Sequence, residues 1–291
     1  MSPMNGILPV DKPAGPTSHD IVALARRTLG ERRIGHTGTL DPFASGLLLL
    51  CVGPATRLAE YLTALPKRYE ATLVLGIATD TDDDQGRAVG EPRDHSGVDR
   101  AAVEAALAGQ RGEILQVPPQ FSAKRVEGER MYDVARRGGS VELDPVPVTI
   151  SRLEITRFAP PAVDFEVECS TGTFIRAIAR DVGVALGVGA HLTRLRRTRI
   201  GGWRVEDAVA ADRLGERDAV LHALVPPADA LRHFPTQVLD AADARAVRNG
   251  VEIPARIEPT DGPVALVDPD GSLVAVGSHR GATIHPRKVF A

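Results

Sequence analysis

The sequence contains little cysteine and few aromatic residues. Cys51 and Cys169 are its two cysteines, and they lie far apart in the chain. This excludes a disulfide framework and a CxxC metal or redox pair, and so few thiols are typical of a reducing, cytoplasmic compartment. Aromatic residues make up only 4% of the chain, so the core must be built mainly from Leu, Val, Ile and Ala.

Long apolar runs and an excess of basic charge are also missing. The longest apolar run, at residues 46–52, is far shorter than the ~20 residues that a membrane-spanning helix needs. The first residues show no basic stretch followed by a long apolar one, so we expect no secretion signal and no membrane contact. The formal net charge of −3 argues weakly against a nucleic-acid partner, because such proteins usually carry a basic surface.

The distribution of charge changes that conclusion. Residues 71–120 carry −5, and residues 141–170 and 205–240 carry −4 each, whereas residues 171–204 carry seven arginines against one aspartate, a net +6. Such a basic run is either a solvated face or a surface that neutralises phosphates, for which the planar guanidinium of arginine is well suited. The sequence therefore permits an RNA partner.

Capping residues and apolar periodicity predict several elements. Thr17 as N-cap, Asp20 in the first turn and Gly30 after the last turn indicate a helix, and Asp99 precedes a second helix over 100–107. A third helix is expected over about 173–186, and alternation predicts strands at 69–76 and 163–169. The second strand places Cys169 on its apolar side, as an ordinary core residue.

The chain after Pro235 has a different character. One short helix over about 241–248, capped by Asp240, is followed by short apolar pieces at 264–267 and 273–276 between Pro and Gly turns. We predict a large domain over 1–234 and a small β-rich domain over 235–291. Helices and strands in the larger part do not alternate strictly, which favours an α+β fold with a mixed sheet.

The densest candidate for chemistry is the segment GHTGTLDPFASG at residues 35–46. Its glycines allow tight turns, Pro42 biases Asp41 towards an extended conformation, and the apolar run that follows would anchor the segment. The loop could hold the Asp41 carboxylate at a rigid edge. From these residues alone, Asp41 could equally do no more than begin an Asp-Pro turn.

Other candidate motifs are weaker. The acidic loop at residues 80–86 has Gln85 where a calcium-binding loop needs glycine, so a solvated loop is favoured. No GxSxG, HExxH or paired Cys/His pattern supports hydrolase or zinc chemistry. Arg176 falls in the first turn of the third helix, with Arg180 on the same face. Considered alone, Arg176 would be a surface residue and Tyr69 a half-buried packing residue.

Six segments together resemble a known family. VDKPAGPTSHD, GHTGTLDPFASGLL, KRYEATLVLGIATDTDDDQG, VPPQFSAKRVEGERMYDVARRG, STGTFIRAIARDVG and GAHLTRLRR occur in the order found in the bacterial TruB-type tRNA pseudouridine synthases. The resemblance covers about residues 5–200, and the tail resembles the family's small, PUA-like RNA-binding module more weakly. Arg125 departs from the pattern, because the family more often has lysine there; a changed phosphate contact is the expected effect.

The resemblance implies isomerisation of uridine to pseudouridine at position 55, in the T arm of tRNA. Asp41 matches the catalytic aspartate, and a carboxylate can act both as a nucleophile and as a leaving group. Attack on the sugar, attack on the base and a glycal route all remain open. Arg176 would form an ion pair that keeps Asp41 ionised. No cofactor or metal is implied, because substrate and product are isomers.

Further residues receive roles through the same resemblance. Tyr69 would stack on the target base, Leu195 would form an apolar wall, and His36 would fill the space that the flipped uridine leaves. Lys12 would lie near the active site and the acidic loop would face the substrate. Arg196 and Arg197 are expected to contact tRNA phosphates.

Two alternative functions would fit parts of this pattern. A tRNA-binding or tRNA-folding module without essential catalysis could keep the same scaffold, although it would not need Asp41, Tyr69 and Arg176. A glycosidase needs a second catalytic acid, and no convincing candidate is present. We expect a monomer without an obligatory protein partner.

Overall fold

The protein is described by a computed structural model. It covers residues 4–121 and 143–290 and, between them, the main chain of two short strands. The strands are β1 (Gly6–Lys12), β2 (Ile34–His36), β3 (Ser45–Val52), β4 (Lys67–Leu75), β5 (Ala78–Thr79), β6 (Ala88–Val89), β7 (Gly112–Gln116), β8 (Arg125–Val126), β9 (Glu129–Arg130), β10 (Val146–Ala159), β11 (Ala162–Cys169), β12 (Ala190–Ile200), β13 (Trp203–Arg204), β14 (Val209–Ala210), β15 (Thr236–Val238), β16 (Ile253–Pro254), β17 (Pro263–Val267), β18 (Leu273–Arg280) and β19 (Thr283–Val289).

The helices lie between these strands. They are α1 (Ser18–Leu29), α2 (Ala59–Thr63), α3 (Arg100–Ala108), α4 (Ile175–Ala185), α5 (Arg217–His222), α6 (Pro227–Ala230) and α7 (Ala241–Arg248), with 3₁₀ turns at Gly53–Leu58, Val205–Asp207 and Ala211–Gly215. Within the described ranges, no helix is long and apolar enough to cross a membrane. The side chain of Arg125 lies outside the described residues.

A large mixed sheet forms the main body, as the α+β prediction requires. Its ten strands follow the order β14-β1-β3-β12-β4-β11-β10-β7, with β2 on β3 and β13 on β12. The β1/β14 and β3/β12 pairs are parallel and the other pairs are antiparallel. A sheet of mixed direction follows from connections that do not alternate strictly between strand and helix.

Strand β3 is apolar along nearly its whole length because it is covered on both faces. Leu48 and Leu50 pack in the cluster that contains Ile21 of α1. Leu47 and Leu49 point the other way, into the cluster that contains Leu58. This explains a continuous apolar run where a strand with one solvated face would alternate. The strand therefore fixes the end of the loop that carries Asp41.

The capping signals located the predicted helices closely. The Thr17 and Asp20 side chains form a reciprocal capping box at the start of α1, and Gly30 ends it in a left-handed conformation. Asp99 and Asp240 cap α3 and α7 as expected. Helix α4 begins at Ile175, so Arg176 lies in its first turn. Cys169 is buried in the core, also as expected.

The arginine-rich segment is a strand, β12, which the sequence pattern did not reveal. It pairs with β4 and is interrupted by irregularities between Leu192 and Arg194 and between Arg197 and Arg199. An extra residue shifts the alternation of side chains between the two faces. The interruptions and the abundance of arginine therefore hide the alternation of apolar and polar residues that usually indicates a strand.

The chain after Pro235 builds a second, five-stranded sheet in the order β15-β17-β18-β19-β16. It has its own apolar cluster, which includes Val247 of α7 and Ile284. Two of its buried residues, Ala265 and Val276, instead belong to the cluster that contains Leu58 of the main body. This second sheet therefore shares apolar packing with the larger part of the protein.

Candidate active site

The loop that carries Asp41 is held from two sides. The hydroxyl of Ser18, in α1, accepts a hydrogen bond from the Leu40 amide at 2.9 Å and donates to the Leu40 carbonyl at 3.1 Å. The Pro42 carbonyl accepts from the Gly15 amide at 2.7 Å and from Lys12 Nζ at 3.5 Å. Because the residues on either side of Asp41 are fixed, its carboxylate is held at the edge of the sheet.

Lys12 holds the main chain around this loop through its side-chain amine. Its side chain is buried, and Nζ also donates to the carbonyls of Pro13 at 2.9 Å and Pro16 at 2.8 Å. Burial lowers the pKa of Lys12 to about 8, while the charge of Asp41 opposes that shift. Its hydrogen bonds go to main-chain carbonyls, so Lys12 positions the loop, and contact of Lys12 with the substrate stays a prediction.

The Arg176 guanidinium joins Asp41 to the acidic loop. Its Nε lies 3.0 Å from Asp41 Oδ2, and its Nη1 lies 3.5 Å from Asp83 Oδ2. The same group donates to the carbonyls of Thr81 at 2.7 Å and Phe121 at 2.8 Å. The Arg176 side chain is only 5% exposed, so its orientation is fixed by these contacts. A surface position for Arg176 is therefore excluded.

The acidic loop is not simply solvated, which corrects the sequence-based interpretation. Asp82 and Asp83 are buried, and Asp82 lies 3.3 Å from Arg180 Nη1. Burial raises the pKa of Asp82 to about 6 and also raises that of Asp83, while the neighbouring arginines act in the opposite direction. Helix α4 thus presents two arginines, one turn apart, to two buried carboxylates.

The side chains of Asp41 and Arg176 line a cavity of about 200 Å³. This is below the ~300–1,000 Å³ of pockets that hold drug-sized ligands, so it suits one small ring system. The cavity lies between the Asp41 loop, strands β4 and β12, and the start of α4. Its walls include Thr37, Asp41, Lys67, Tyr69, Ser170, Thr173, Arg176, Leu195 and Arg197.

Two adjacent strands supply the inner walls. Tyr69 and Arg197 face each other across β4 and β12, and the Arg197 charge opposes the effect of burial on the pKa of Tyr69. Burial raises the pKa of Tyr69, so the phenol stays neutral. Leu195, two residues before Arg197, adds an apolar surface on the same side.

Arg197 is an internal residue. It is 2% exposed, and it donates to the Leu47 carbonyl at 2.7 Å and to the Gly38 carbonyl at 3.0 Å. The strands approach closely here: a Cβ on Gly46 would lie 2.2 Å from the Arg197 carbonyl oxygen. This close approach explains the glycine at position 46.

Arg196 is not brought to the cavity. Neighbouring strand residues point to opposite faces, and Arg196 forms a bidentate pair with Asp11 at 2.7 and 3.1 Å, on the other side of the sheet. The two adjacent arginines therefore lie on opposite faces of the sheet, and contact of either with tRNA stays a prediction. One of the two lies at the cavity and the other on the opposite face.

His36 lies beside the cavity rather than in its wall. Its ring packs edge-to-face on His19, with centroids 5.5 Å apart. Burial, with smaller contributions from His19 and Arg197, lowers the pKa of His36 to about 4. The imidazole is therefore neutral at physiological pH and offers an uncharged ring near the Asp41 loop.

Lys67 and Asp83 belong to this site but were not selected from the sequence. Lys67 is two residues before Tyr69 on β4, so strand periodicity already placed both on one face. Burial lowers the pKa of Lys67 to about 8, with Arg197 adding to the shift. Asp83 was hidden because a run of acidic residues is typical of a solvated loop. In the part of the chain that the structure describes, no group of three or more His, Cys, Asp or Glu side chains could hold a metal.

Comparison with protein-family models covers nearly the whole chain. Residues 26–175 match the N-terminal domain of the TruB family pseudouridylate synthases. The chain belongs to this family. Residues 176–232 match the tRNA pseudouridylate synthase B C-terminal domain, and residues 234–291 match the C-terminal model of tRNA pseudouridine synthase II.

Relatives within the family are similar over their full length. The chain is 46% identical to tRNA pseudouridine synthase B of Thermobifida fusca (strain YX), covering 99% of both chains. It is 43% identical to the protein of the same name from Mycobacterium bovis (strain BCG / Pasteur 1173P2), covering 97% of this chain and 98% of that one.

Solved structures share the fold. A chain of a Cbf5-Nop10-Gar1 complex superposes with a TM-score of 0.74 at 27% identity, covering 98% of this chain and 85% of that one. A chain of an H/ACA RNP bound to a substrate RNA containing 2'-deoxyuridine gives 0.73 at 26% identity, covering 98% and 85%. These similarities confirm the α+β fold class expected from the sequence.

Proposed function

We propose that this protein isomerises uridine to pseudouridine in tRNA, with Asp41 as the catalytic carboxylate. The observation that carries the proposal is the ion pair between Asp41 and the buried Arg176 at the mouth of a cavity sized for one ring system. Family membership and the shared name of its relatives, tRNA pseudouridine synthase B, supply the reaction.

The reaction conserves every atom. The bond between ribose C1' and N1 of uracil breaks, a bond from C1' to C5 forms, C5 loses its proton and N1 gains one. The protein must therefore stabilise the separated base and sugar and move a proton, and it needs no external reductant, oxidant or group donor. A carboxylate that is also a good leaving group suits this task.

The residues around Asp41 have separate roles in this reaction. Arg176 neutralises and orients the Asp41 carboxylate, and Asp83 holds Arg176 from its other side. The neutral Tyr69 ring and the Leu195 side chain provide surfaces for an uncharged base. The cavity admits a base only after it has left the helical stack, which costs a few kcal/mol. The uncharged His36 ring can occupy the vacated space without desolvating a charge.

The finer assignments follow from the substrate. We propose uridine 55 in the T arm as the target, action as a monomer without an obligatory protein partner, and a cytoplasmic location, where tRNA matures. The division into domains at 234/235 belongs to the same proposal, with the second domain contributing RNA affinity.

The test is incubation of purified protein with unmodified tRNA transcript, followed by mapping of pseudouridine. We expect one pseudouridine at position 55 and none in a transcript with cytidine there. Product at another position would contradict the T-arm assignment. Absence of product despite RNA binding would favour the alternative of a tRNA-folding module, and absence of both would contradict the proposal altogether.

A further inference from the structure

A second cavity lies where strands β4, β11 and β12 end. Its volume is about 210 Å³, and it is lined by Pro66, Lys67, Arg68, Glu168, Arg199 and Gly201. The strand ends are tied together there, because the Gly201 amide donates to the Pro66 carbonyl at 2.8 Å. This cavity therefore has a fixed rim formed by three neighbouring strands.

Three charged side chains form a row across these strands. Arg68 lies directly opposite Arg199 on one side and directly opposite Glu168 on the other. Like charges placed opposite each other on adjacent strands are destabilising. Arg68 makes an ion pair with Glu166, two residues before Glu168 on β11. Arg68 and Arg199 thus place two positive charges close together, and a bound anion would reduce the repulsion between them.

Arg199 is distinguished from the other arginines on this face of the sheet. Arg68, Arg152, Arg157, Arg194 and Arg196 each have a carboxylate within ion-pairing distance. Among the described residues, Arg199 has no such partner, and its side chain is exposed. It is therefore the arginine of this face whose donors are available to a ligand.

The second cavity adjoins the candidate active site. Lys67 contributes to the walls of both cavities. An RNA strand that places a base beside Asp41 carries a phosphodiester on each side of that nucleotide. Lys67 thus borders both the cavity for the base and the cavity that contains Arg199.

We propose that this second cavity binds a phosphodiester of the substrate RNA, next to the nucleotide whose base enters the Asp41 cavity. The inference rests on the proposed function and adds a phosphate subsite to it. Arg199 supplies the free guanidinium and Arg68 and Lys67 add positive charge. Glu168 opposes the phosphate and moderates its binding.

The test compares Arg199→Gln with Arg194→Gln in the full-length protein. Both arginines are exposed on β12 and point to the same face, but Arg194 is paired with Glu70 and lies outside the cavity. With a T-arm stem-loop RNA, Arg199→Gln is expected to weaken binding several-fold and to reduce the slope of log affinity against log salt by about 1. Arg194→Gln is expected to change neither, and Glu168→Gln is expected to tighten binding.

Single methylphosphonate linkages then locate the phosphate. Wild-type protein and Arg194→Gln are expected to lose affinity at one linkage adjoining the target nucleotide, and Arg199→Gln is expected to be insensitive to it. Equal salt slopes and equal linkage sensitivity in the two arginine variants would overturn the proposal. Binding is read independently of product, so absence of pseudouridine with wild-type protein would count against the proposed function, and not against this subsite.

Discussion

At the scale of single residues, the account depends on how Asp41 is held. Its carboxylate contacts Arg176, which is in turn held by Asp83 and two main-chain carbonyls. Buried charges are stable only when they are paired and hydrogen-bonded. The position of the partly exposed Asp41 carboxylate thus depends on the buried contacts of Arg176.

Asp83→Asn tests this dependence. We expect the single-turnover rate of pseudouridine formation to fall about 10- to 100-fold, which corresponds to about 1.4–2.7 kcal/mol of lost transition-state stabilisation. RNA affinity is expected to change little, because Asp83 is buried. Asp84→Asn, at the exposed neighbouring position, is the matched control. Equal rates for the two variants would show that Asp83 does not position Arg176.

His36 predicts a pH effect on stability. Its folded-state pKa is about 4, whereas the unfolded chain takes up a proton near pH 6.5. The unfolded state therefore binds more protons between pH 6.5 and 4, and stability falls as the pH falls through that range. In urea unfolding, wild type is expected to lose on the order of 1–3 kcal/mol more than His36→Asn between pH 7 and 4.5. Parallel losses would contradict the buried, neutral state of His36.

At the scale of elements, β12 shows what the sequence could and could not provide. Capping residues located α1, α3 and α7, and clean alternation located β11, because those signals are local. The interruptions in β12 depend on its pairing with β4, so the division of its arginines between two faces could not be read from spacing. The Asp41 motif and Arg176 were identifiable through resemblance, but the partners of Arg176 come from loops distant in sequence.

Substitution of Arg196 and Arg197 tests whether these adjacent arginines lie on opposite faces of the sheet. Arg197→Met removes the hydrogen bonds that Arg197 donates to the Leu47 and Gly38 carbonyls, at ~1–3 kcal/mol each, so we expect a loss of about 3 kcal/mol or more in unfolding free energy. Arg196→Met removes a partly exposed ion pair and is expected to cost about 1 kcal/mol or less. Chemical denaturation measures both, and equal losses would place the two residues in similar environments.

At the scale of the whole molecule, the two faces of the large sheet carry different groups of residues. One face, with the Asp41 loop and α4, encloses the cavity for the base. The opposite face carries ion-paired arginines and Arg199, which has no carboxylate partner within the described part of the chain. The second sheet packs against the main body through Ala265 and Val276, and Lys288 pairs with Glu60 at 2.6 Å. None of the described residues that line the Asp41 cavity comes from the second sheet.

Deletion of residues 235–291 is therefore expected to have two effects. It exposes apolar surface around Leu58, so the midpoint of thermal unfolding is expected to fall, and it is expected to weaken RNA affinity. The single-turnover rate at saturating RNA should be largely retained by the folded fraction. A truncated chain that is folded but inactive at saturation would contradict the assignment of chemistry to residues 1–234.

The most direct test of the central claim is Asp41→Asn. The substitution keeps the shape of the side chain and removes its charge and nucleophilicity, while the Asp41 side chain is 35% exposed and contributes little to packing. Pseudouridine in unmodified tRNA is measured together with RNA affinity. We predict binding close to wild type and no detectable pseudouridine. Undiminished product from a folded Asp41→Asn protein would contradict the account.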